Sequence, residues 1–598
     1  MKKKLLLLLL MFIPFFINAE EVKLEWQKSW GGNDSDLFDS IVLTNDGGFI
    51  VTGAYLSTDI EGFENKGKRD FVIVKYDEDG NLLWQRRWGG NDDEWSYSAV
   101  LMEDGNIIVP GYSYSTDIEG FENKGKSDAV ILKYDQDGNL LWQKTWGGND
   151  SDLFDSIVLT NDGGFIVTGA YLSTDIEGFS NKGDQDVIMI KYDKDGNIIW
   201  QKTWGGNDFD STPSIHLTSD EGFTFTTYSL STDLEGITNK GIGDIIVGKF
   251  NKDGNLLWHK NWGGNNKDFF RASLLTKDES IIITSYSTST DIEGIENSEG
   301  NVLAILKYDK DGNFIWQQSW GGDGIEEFRT IYLTEEDEIL IPGYTSSKNI
   351  EGIENNLSKA VILKYDQTGN LLMQKSWGGS NSNAFNSIIF TKFGGYIAEG
   401  YSNSTDIDGI EPKGSLDHIF VKYGKNDNLL SQKSWGGESY DSIKSITLTQ
   451  SDGFVAIGSS PSTDIEGIEN KGKSDAVILK YSIKYNLEDV TKENGNATTL
   501  QQGKYGIIKP TPNEGYEVDD IIVKDVDGNV LDVEVTKLED GTYSFELYED
   551  VSVEVLFKEK FVNPKTGLLN YGAILSLFML LPILALVYIC RYNQKYGL

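Results

Sequence analysis

One spacing governs what this chain can fold into. Adjacent glycines stand at Gly31-Gly32, Gly89-Gly90, Gly147-Gly148, Gly205-Gly206, Gly263-Gly264, Gly321-Gly322, Gly378-Gly379 and Gly436-Gly437, a step of 58 residues interrupted once by a step of 57. Stretches 30–63 and 146–179 are identical, as are 123–134 and 470–481. Self-similarity at a fixed period means one structural unit copied many times, each copy burying an apolar face against the next. The residue missing from the short step falls between Asn349 and Tyr365, in a loop, where a deletion disturbs least.

Inside a repeat the hydrophobic pattern has the period of strands, not helices. It predicts strands at Ser40–Thr44, Phe49–Tyr55, Phe71–Tyr76 and Leu82–Trp88. Tight turns at Asn45-Asp46-Gly47-Gly48 and Asp77-Glu78-Asp79-Gly80-Asn81 join the first two and the last two, with a long loop from Ser57 to Arg69 between. The third strand is apolar on both faces and is expected to be buried on both. Trp84 and Trp88 are four apart, so both point to one side and can pack between neighbouring sheets. Four strands in a repeat of this length read as a propeller blade. The expectation is an all-β, eight-bladed β-propeller of four-stranded blades over residues 20–481. Val22–Trp30 matches a fourth strand, and the array ends on Ser474–Tyr481, a third strand. The N-terminal strand is therefore expected to close the ring, which removes two open sheet edges.

The rest of the chain breaks the period. Residues 482–560 read as a separate small all-β module, with strands at Ile521–Lys524, Gly541–Phe545 and Val551–Phe557. Residues 1–19 begin with lysines, continue as an apolar run and end at Ala19, the pattern of a secretory signal peptide. Tyr571–Cys590 is a 20-residue apolar stretch, about 30 Å long as a helix, and is expected to cross a membrane once. Residues 561–570 link module and span. Arg591 and Lys595 place the tail, 591–598, in the cytoplasm and everything between signal and span outside. Cys590 is the one cysteine, so the outer part has no disulfide. A net charge of −40 argues against a nucleic-acid partner, and 12% aromatic residues exclude an acidic disordered tail.

Several words carry resemblances. Trp146–Gly148, Asp162–Val167 and Asp253–Trp258 make residues 22–481 similar to secreted bacterial β-propeller repeat proteins, which implies the fold and leaves function open. Pro512-Asn513-Glu514-Gly515-Tyr516, Gly541–Phe545 and Val551–Phe557 resemble the divergent internalin-type B-repeat, with Leu547-Tyr548 where that family commonly has Met-Pro. This resemblance implies a spacer or interaction module near the envelope. Asn563-Pro564-Lys565-Thr566-Gly567 resembles the cell-wall sorting signal of Gram-positive surface proteins, with Asn563 where the commonest version has Leu. A sortase would then cut between Thr566 and Gly567; the alternative is a plain membrane anchor. Asp77, Gly80 and Trp84 resemble the tryptophan-docking motif of eight-bladed quinoprotein dehydrogenases. The Asp-to-Gly step is one residue shorter here and the adjacent cysteine pair is missing. A turn packed against the next blade is the plainer reading.

Chemistry-bearing residues recur rather than converge. The word Ser-Thr-Asp-Ile-Glu-Gly sets acids at one end of the blades: Asp59, Glu61, Asp117, Glu119, Asp175, Glu177, Asp233, Glu235, Asp291, Glu293, Asp406 and Asp464. Asn349 and Glu351, Asp408 and Glu466 complete the set. These acids are the expected ligand-binding face. Calcium is weighed as a cofactor of that face or of the Asp77–Asn81 turns, against turn acids that bond their own backbone. His216, His259 and His418 occupy three different repeat positions, and the paired acids recur in equivalent copies instead of forming one pair with divergent pKa values. The chain is accordingly expected not to be an enzyme. It is expected to be a monomeric surface adhesin or scaffold, anchored by its C-terminus and presenting the acidic face to a surface protein or glycan. A structural envelope component, and a calcium-stabilised glycan-binding propeller using rings such as Trp95 and Phe63, are the alternatives.

Overall fold

The structure is a computed structural model describing residues 21–560, apart from short stretches at 64, 298–300, 355–356, 392–394, 451–452, 485–486, 492–493, 503–504, 525–528, 532 and 548–550. The expected signal peptide, the sorting pentapeptide with Thr566 and Gly567, the apolar span and the tail lie outside the described residues. Among those described, no helix is long and apolar enough to cross a membrane. The chain divides into two compact units, the first running to Leu487 and taking in Gln501–Gly506 and Glu546–Val551 as well.

The first unit is all-β and built of repeated four-stranded antiparallel sheets, propeller-like in form. In the first repeat Asp36–Leu43, Phe49–Tyr55, Asp70–Tyr76 and Leu82–Trp88 pair in sequence order. The second and third strands are buried almost throughout, on both faces. The first strand differs from the sequence reading. It begins at Asp36, not Ser40, because register shifts between Phe38 and Ser40 and leaves Asp39 in a bulge that breaks the alternation. Among the described residues, eight such sheets succeed one another. In the second and sixth the first strand is split, as Glu94–Ser96 with Val100–Leu101 and Glu326–Phe328 with Tyr332–Leu333. In the fourth, Pro213 has no N–H to give a ladder, and the strand is confined to Ser214–Leu217.

Glu21–Trp30 is the fourth strand of the last sheet. It runs antiparallel to Asp475–Lys484, from Trp30 opposite Ala476 to Glu21 opposite Lys484. Trp30 joins one apolar cluster containing Phe38, Tyr55 and Val72 of the first sheet together with Val455, Ile457, Ala476 and Ile478 of the last.

Outer-strand tryptophans fasten each sheet to the next, two per strand except in the sixth and seventh sheets, which carry one each. Trp84 lies over Gly138, where a Cβ would come within 2.7 Å of the ring, and its Nε1 donates to the Gln136 carbonyl at 3.0 Å. Trp26 covers Gly80 in the same way, Trp142 covers Gly196, and Trp200 covers Gly254. Gly80 also has φ of +73°, so the turn demands glycine on two counts. In the seventh sheet Asp427 holds that position at φ 60°, and the preceding outer strand carries Met373 in place of the tryptophan; the seventh sheet's own outer strand has Ser431 there. The word shared with quinoprotein enzymes is thus a packing device. The second tryptophan donates to a glutamine on the next outer strand: Trp30 to Gln85 at 2.9 Å, Trp88 to Gln143 at 2.7 Å, Trp377 to Gln432 at 2.8 Å and Trp435 to Gln27 at 2.8 Å. Gln85 and Gln143 pass the chain on to the carbonyls of Glu61 and Glu119.

His259 takes the glutamine's place in the fourth sheet, and its Nδ1 is buried without a partner. Burial depresses its pKa, so the ring is neutral near pH 7. His259→Gln is expected to complete the relay from Trp204 and raise the melting temperature by about 1–2 °C, the worth of one net hydrogen bond in an array of this size. Differential scanning calorimetry would read the shift; an unchanged or lower melting temperature would count against the relay.

The second unit has two sheets. Tyr516–Lys524 pairs with Val551–Glu559, which also pairs with Leu487–Thr491; Gly495–Gln502, Tyr505–Pro512, Tyr543–Glu546 and Thr536–Lys537 form the other. Ile508, Val523, Phe545, Val553 and Val555 are buried within it, and Lys524 pairs with the buried Glu554 at 2.6 Å.

Candidate functional site

Antiparallel pairing puts the two tight turns of each repeat at one end of its sheet and the Gly-Gly and long loops at the other. Asp59, Asp117, Asp175, Asp233, Asp291, Asp406 and Asp464 all lie at the loop end and are exposed, as are their companions Glu61, Glu119, Glu177, Glu235 and Glu293. Each of these aspartates also has a structural task. One carboxylate oxygen accepts the backbone N–H that follows the Gly-Gly pair: Asn33 onto Asp59, Asn91 onto Asp117, Asn149 onto Asp175, Asn207 onto Asp233 at 2.8 Å, and Asn265 onto Asp291 at 2.7 Å. Ser380 onto Asp406, Glu438 onto Asp464, and Asp323 onto Asn349 repeat the contact at 2.9 Å. Asn349 serves because a cap needs only one oxygen. The face is also less acidic than its sequence implies, since Lys68, Lys126 and Lys473 pair with Asp92, Asp150 and Asp34 of the next sheet at 2.7, 2.8 and 3.0 Å.

The turns weighed for calcium bond themselves. The Asp77 carboxylate accepts the N–H of Asp79 at 3.0 Å and of Asn81 at 2.7 Å, and its other oxygen accepts Asn81 Nδ2 at 2.9 Å. Among the described residues, no three His, Cys, Asp or Glu come together as a metal site. Phe63, weighed as a stacking platform, packs edge-on against Trp30 at 5.9 Å and Tyr55 at 5.4 Å, and Phe121, Ile237 and Ile295 in its place are buried. That position lies under the long loop, where an apolar side chain covers the outer-strand tryptophan. His216 bonds Ser273 Oγ at 2.9 Å, while His418 Nδ1 lies 2.9 Å from Glu399 and its Nε2 accepts the Ile443 N–H at 2.8 Å.

Two arrangements escaped the sequence reading. The first is a buried carboxylate pair between consecutive sheets, one acid starting a third strand and the other starting the next sheet's first strand. The pairs are Asp70 with Glu94, Asp128 with Asp152, Asp186 with Asp210, Asp244 with Asp268, Asp417 with Asp441, and Asp475 with Asp36. Asp36 is well supplied with donors: Gly32 N–H at 2.8 Å, Ser57 Oγ at 2.6 Å and Leu56 N–H at 3.1 Å. Its companion Asp475 keeps Oδ1 buried with no partner, as do Asp70, Asp128, Asp186 and Asp244. The first glycine of each Gly-Gly pair lies against the two acids: a Cβ on Gly147 would stand 2.6 Å from Asp128 Oδ1 and 2.8 Å from Asp152 Oδ2. Burial raises Asp70, Asp128, Asp186 and Asp475 to about 6 and Glu94 to about 7. Elsewhere the pair is replaced. Val302 precedes Glu326, and Lys359 precedes Asn383 with its ammonium on the Gly378 and Gly379 carbonyls at 2.5 and 2.9 Å.

The second arrangement is where the copies stop being copies. At the loop end of the first strands the equivalent positions read Leu37, Trp95, Leu153, Ser211, Phe269, Glu327, Ala384 and Ser442; two residues on they read Asp39, Tyr97, Asp155, Pro213, Arg271, Arg329, Asn386 and Lys444. Their neighbours on the second strands are Ala54, Tyr112, Ala170, Tyr228, Tyr286, Tyr344, Tyr401 and Ser459. These side chains meet across sheets. Tyr228 stacks on Phe269 with centroids 4.8 Å apart, and Arg69 lies 3.9 Å over Trp95. Arg271 lies 5.4 Å from Tyr286, and Glu327 takes Arg329 Nε at 2.6 Å and the Tyr344 hydroxyl at 3.0 Å. Tyr401, raised by burial, feels Arg329, Glu327 and Tyr440. Asp39, raised by burial to about 6, faces Lys444 and Arg69. Tyr97, Tyr114, Arg271, Arg329 and Tyr440 are exposed, Tyr228 is buried and the other rings are half-buried, so this end combines flat aromatic faces with arginine forks. The signal in the sequence is variance in the two first-strand columns, which differ while the packing positions around them repeat.

No protein-family model matches the chain. Regulatory protein FlaEY of Caulobacter vibrioides is 29% identical over 180 residues, a match covering 28% of this chain and 19% of that protein. An uncharacterized WD repeat-containing protein of Acanthamoeba polyphaga mimivirus is 25% identical over 184 residues, covering 27% of this chain and 13% of that one. The chain thus spans less than a fifth of the length of these relatives. Among solved structures, the WD40 domain of Neurospora crassa Pan2 aligns at 9% identity and TM-score 0.33 over 61% of this chain and 86% of its own. Puromycin hydrolase aligns at 11% and 0.35 over 73% and 61%, and polysaccharide lyase Uly1 at 9% and 0.36 over 77% and 99%. The repeats are β-propeller-like. The expectation that the chain is not an enzyme is corrected by the same comparison: a hydrolase and a lyase stand among its neighbours, so the fold does not exclude catalysis. At 9–11% identity neither brings a substrate with it.

Proposed function

We propose that the eight sheets are the blades of a closed propeller, completed by Glu21–Trp30, and that the chain is a cell-surface binding protein whose ligand meets the loop end of the first strands. Closure is supported by the pairing of that strand with Asp475–Lys484 and by the tryptophan contacts it makes on both sides. In a closed ring those ends gather around a central mouth. The observation that carries the reading is the contrast between identical and individual residues. Packing positions are kept from repeat to repeat, whereas the first-strand positions at the mouth change from sheet to sheet beside a second-strand column that is tyrosine in five of eight.

The exposed acids Asp59 to Asp464 then form an outer collar rather than the site, each tied to its own Gly-Gly loop. Placement on the cell surface rests on the signal-like 1–19, the apolar span and the Asn563–Gly567 word; the module at 482–560, resembling an internalin-type B-repeat, would hold the propeller off the envelope. Anchoring by sortase at Thr566 is the finer form of that reading. A structural envelope role would need no diversified mouth and is the weaker alternative.

The reading is tested by probing arrays of glycans and surface proteins with the purified protein. Binding is expected to fall at least tenfold in Tyr286→Ala/Tyr344→Ala and to persist in Glu61→Ala/Glu119→Ala. The reverse pattern, with melting temperatures unchanged, would move the site to the acidic collar.

A further inference from the structure

We infer, resting on the mouth as the binding surface, that the ligand is an anionic sugar polymer, one carrying carboxylate or sulfate groups, recognised on the fifth to eighth sheets. The chain has six arginines in 598 residues and a net charge of −40. Three of the six, Arg69, Arg271 and Arg329, stand at the mouth, and Lys444 joins them. Arg271 and Arg329 hold the same repeat position on consecutive sheets, where the first and third sheets have Asp39 and Asp155. Two adjacent repeats have therefore exchanged a carboxylate for a guanidinium at this end of an acidic molecule. Charge complementarity points to an anion.

The rings beside these arginines narrow the class. Tyr286, Tyr344 and Tyr401 recur on consecutive second strands, each half-buried, where the first and third sheets have Ala54 and Ala170. One aromatic edge and face per blade offers a series of equivalent flat surfaces, which suits a chain of repeated rings better than a compact ligand. Sugar rings present apolar C–H faces to such tyrosines, while the exposed Arg271 guanidinium can take a carboxylate or sulfate through two parallel N–H donors; Arg329, with Nε and Nη2 on Glu327, adds a fixed positive edge beside it. Glu327 holds Arg329 at 2.6 Å and the Tyr344 hydroxyl at 3.0 Å, so the arginine and ring of the sixth sheet are set in one orientation before a ligand arrives. Arg271, over Tyr286 at 5.4 Å, is exposed beside them. A nucleic acid is the poorer fit: it carries a charge on every nucleotide and needs many cationic contacts, and a few cations inside a field of −40 do not supply them.

The test measures the purified protein against immobilised polygalacturonate, the same polymer fully methyl-esterified, neutral galactan and single-stranded DNA, by biolayer interferometry at low and moderate salt. Polygalacturonate is expected to bind, to weaken as salt rises, and to bind at least tenfold more tightly than its neutral ester. Arg271→Gln/Arg329→Gln is expected to lose that preference at an unchanged melting temperature, and Arg271→Lys/Arg329→Lys to recover only part of it. Equal binding of acidic and neutral polymers, binding to none of them, or tighter binding to DNA would overturn the anionic-glycan assignment. Were a neutral glycan or a protein to bind and be lost in Tyr286→Ala/Tyr344→Ala, the assignment would fall while the mouth remained the site. Polygalacturonate binding that survives both the arginine and the tyrosine pairs would overturn the assignment and the mouth together.

Discussion

A protein lacking Val22–Trp30 is expected to lose the cooperative unfolding of its sheet array and to aggregate. The segment is a small part of the chain, yet it does three separate things. It covers the edge of Asp475–Lys484 from Glu21 to Trp30, and an uncovered strand with Ala476, Val477, Ile478 and Leu479 would offer an apolar template to any other chain. It supplies Trp30 to a cluster that belongs to both the first and last sheets. It also supplies Gln27 as acceptor for Trp435 and Trp30 as donor to Gln85, one link on each side of the seam. Burying one tryptophan is worth about 4–6 kcal/mol at full coverage, against a typical net domain stability of about 5–15 kcal/mol. Trp30→Ala alone is expected to lower the melting temperature by several degrees. A synthetic peptide of residues 21–30 added to the truncated protein should restore part of the loss by re-forming the strand. Light scattering and calorimetry on the truncated protein decide the matter. A monomer melting at the parent temperature would mean that the strand does not hold the first and last sheets together, and the closed propeller would have to be abandoned.

The sequence was most legible where side chains repeat and are apolar. Phe49–Tyr55 and Leu82–Trp88 are legible to the residue because a glycine-containing tight turn precedes each and the same apolar and aromatic positions recur in the other repeats. Asp36 and Asp70 were missed as strand residues because a charged side chain at a strand end reads as loop, although both are buried. Their pairing across sheets could not be read, since the two acids belong to different repeats and meet only after the sheets pack. The tryptophan-over-glycine contact was half legible: the spacing of Asp77, Gly80 and Trp84 suggested packing, and the joint replacement of glycine by Asp427 and of tryptophan by Met373 in successive repeats would have named the partners. The mouth was overlooked for a different reason. Repeated acids stand out because they recur, whereas the proposed site is marked by first-strand positions that do not.

Melting temperature is expected to be higher at pH 5 than at pH 8, by about 5–10 °C, if each buried pair contributes about 1 kcal/mol. The direction follows from the carboxyls that burial raises. Asp70, Asp128, Asp186 and Asp475 titrate at about 6 in the folded protein and Glu94 at about 7, against about 4 when unfolded. The folded state therefore binds more protons between about pH 4 and pH 7. Its stability is fully present below that window and is lost as pH climbs through it. Acids held low act at the other end: Asp46, Asp162 and Asp220 sit near 2 through lysine and threonine contacts that outweigh burial, so their contribution is lost only as pH falls from about 4 toward 2. Maximum stability should fall near pH 5. General repulsion in a chain of −40 would tilt the profile the same way, and a substitution separates the two causes. Asp128 faces Asp152, Asp175 and Lys124, and Asp186 faces Asp210, Tyr171 and Lys182. Asp128→Asn/Asp186→Asn keeps an acceptor for the Lys124 and Lys182 N–H groups and gives the neighbouring carboxylate a donor. It should flatten the profile and raise the melting temperature at pH 8, whereas Asp79→Asn/Asp137→Asn, equal in charge removed but exposed, should leave the slope nearly unchanged. The chain has made related exchanges itself, at Val302 and at Lys359 with Asn383. Equal slopes in the two variants would assign the effect to overall charge, and a melting temperature that drops with chelator at neutral pH would put a cation, in place of the proton, between the paired acids.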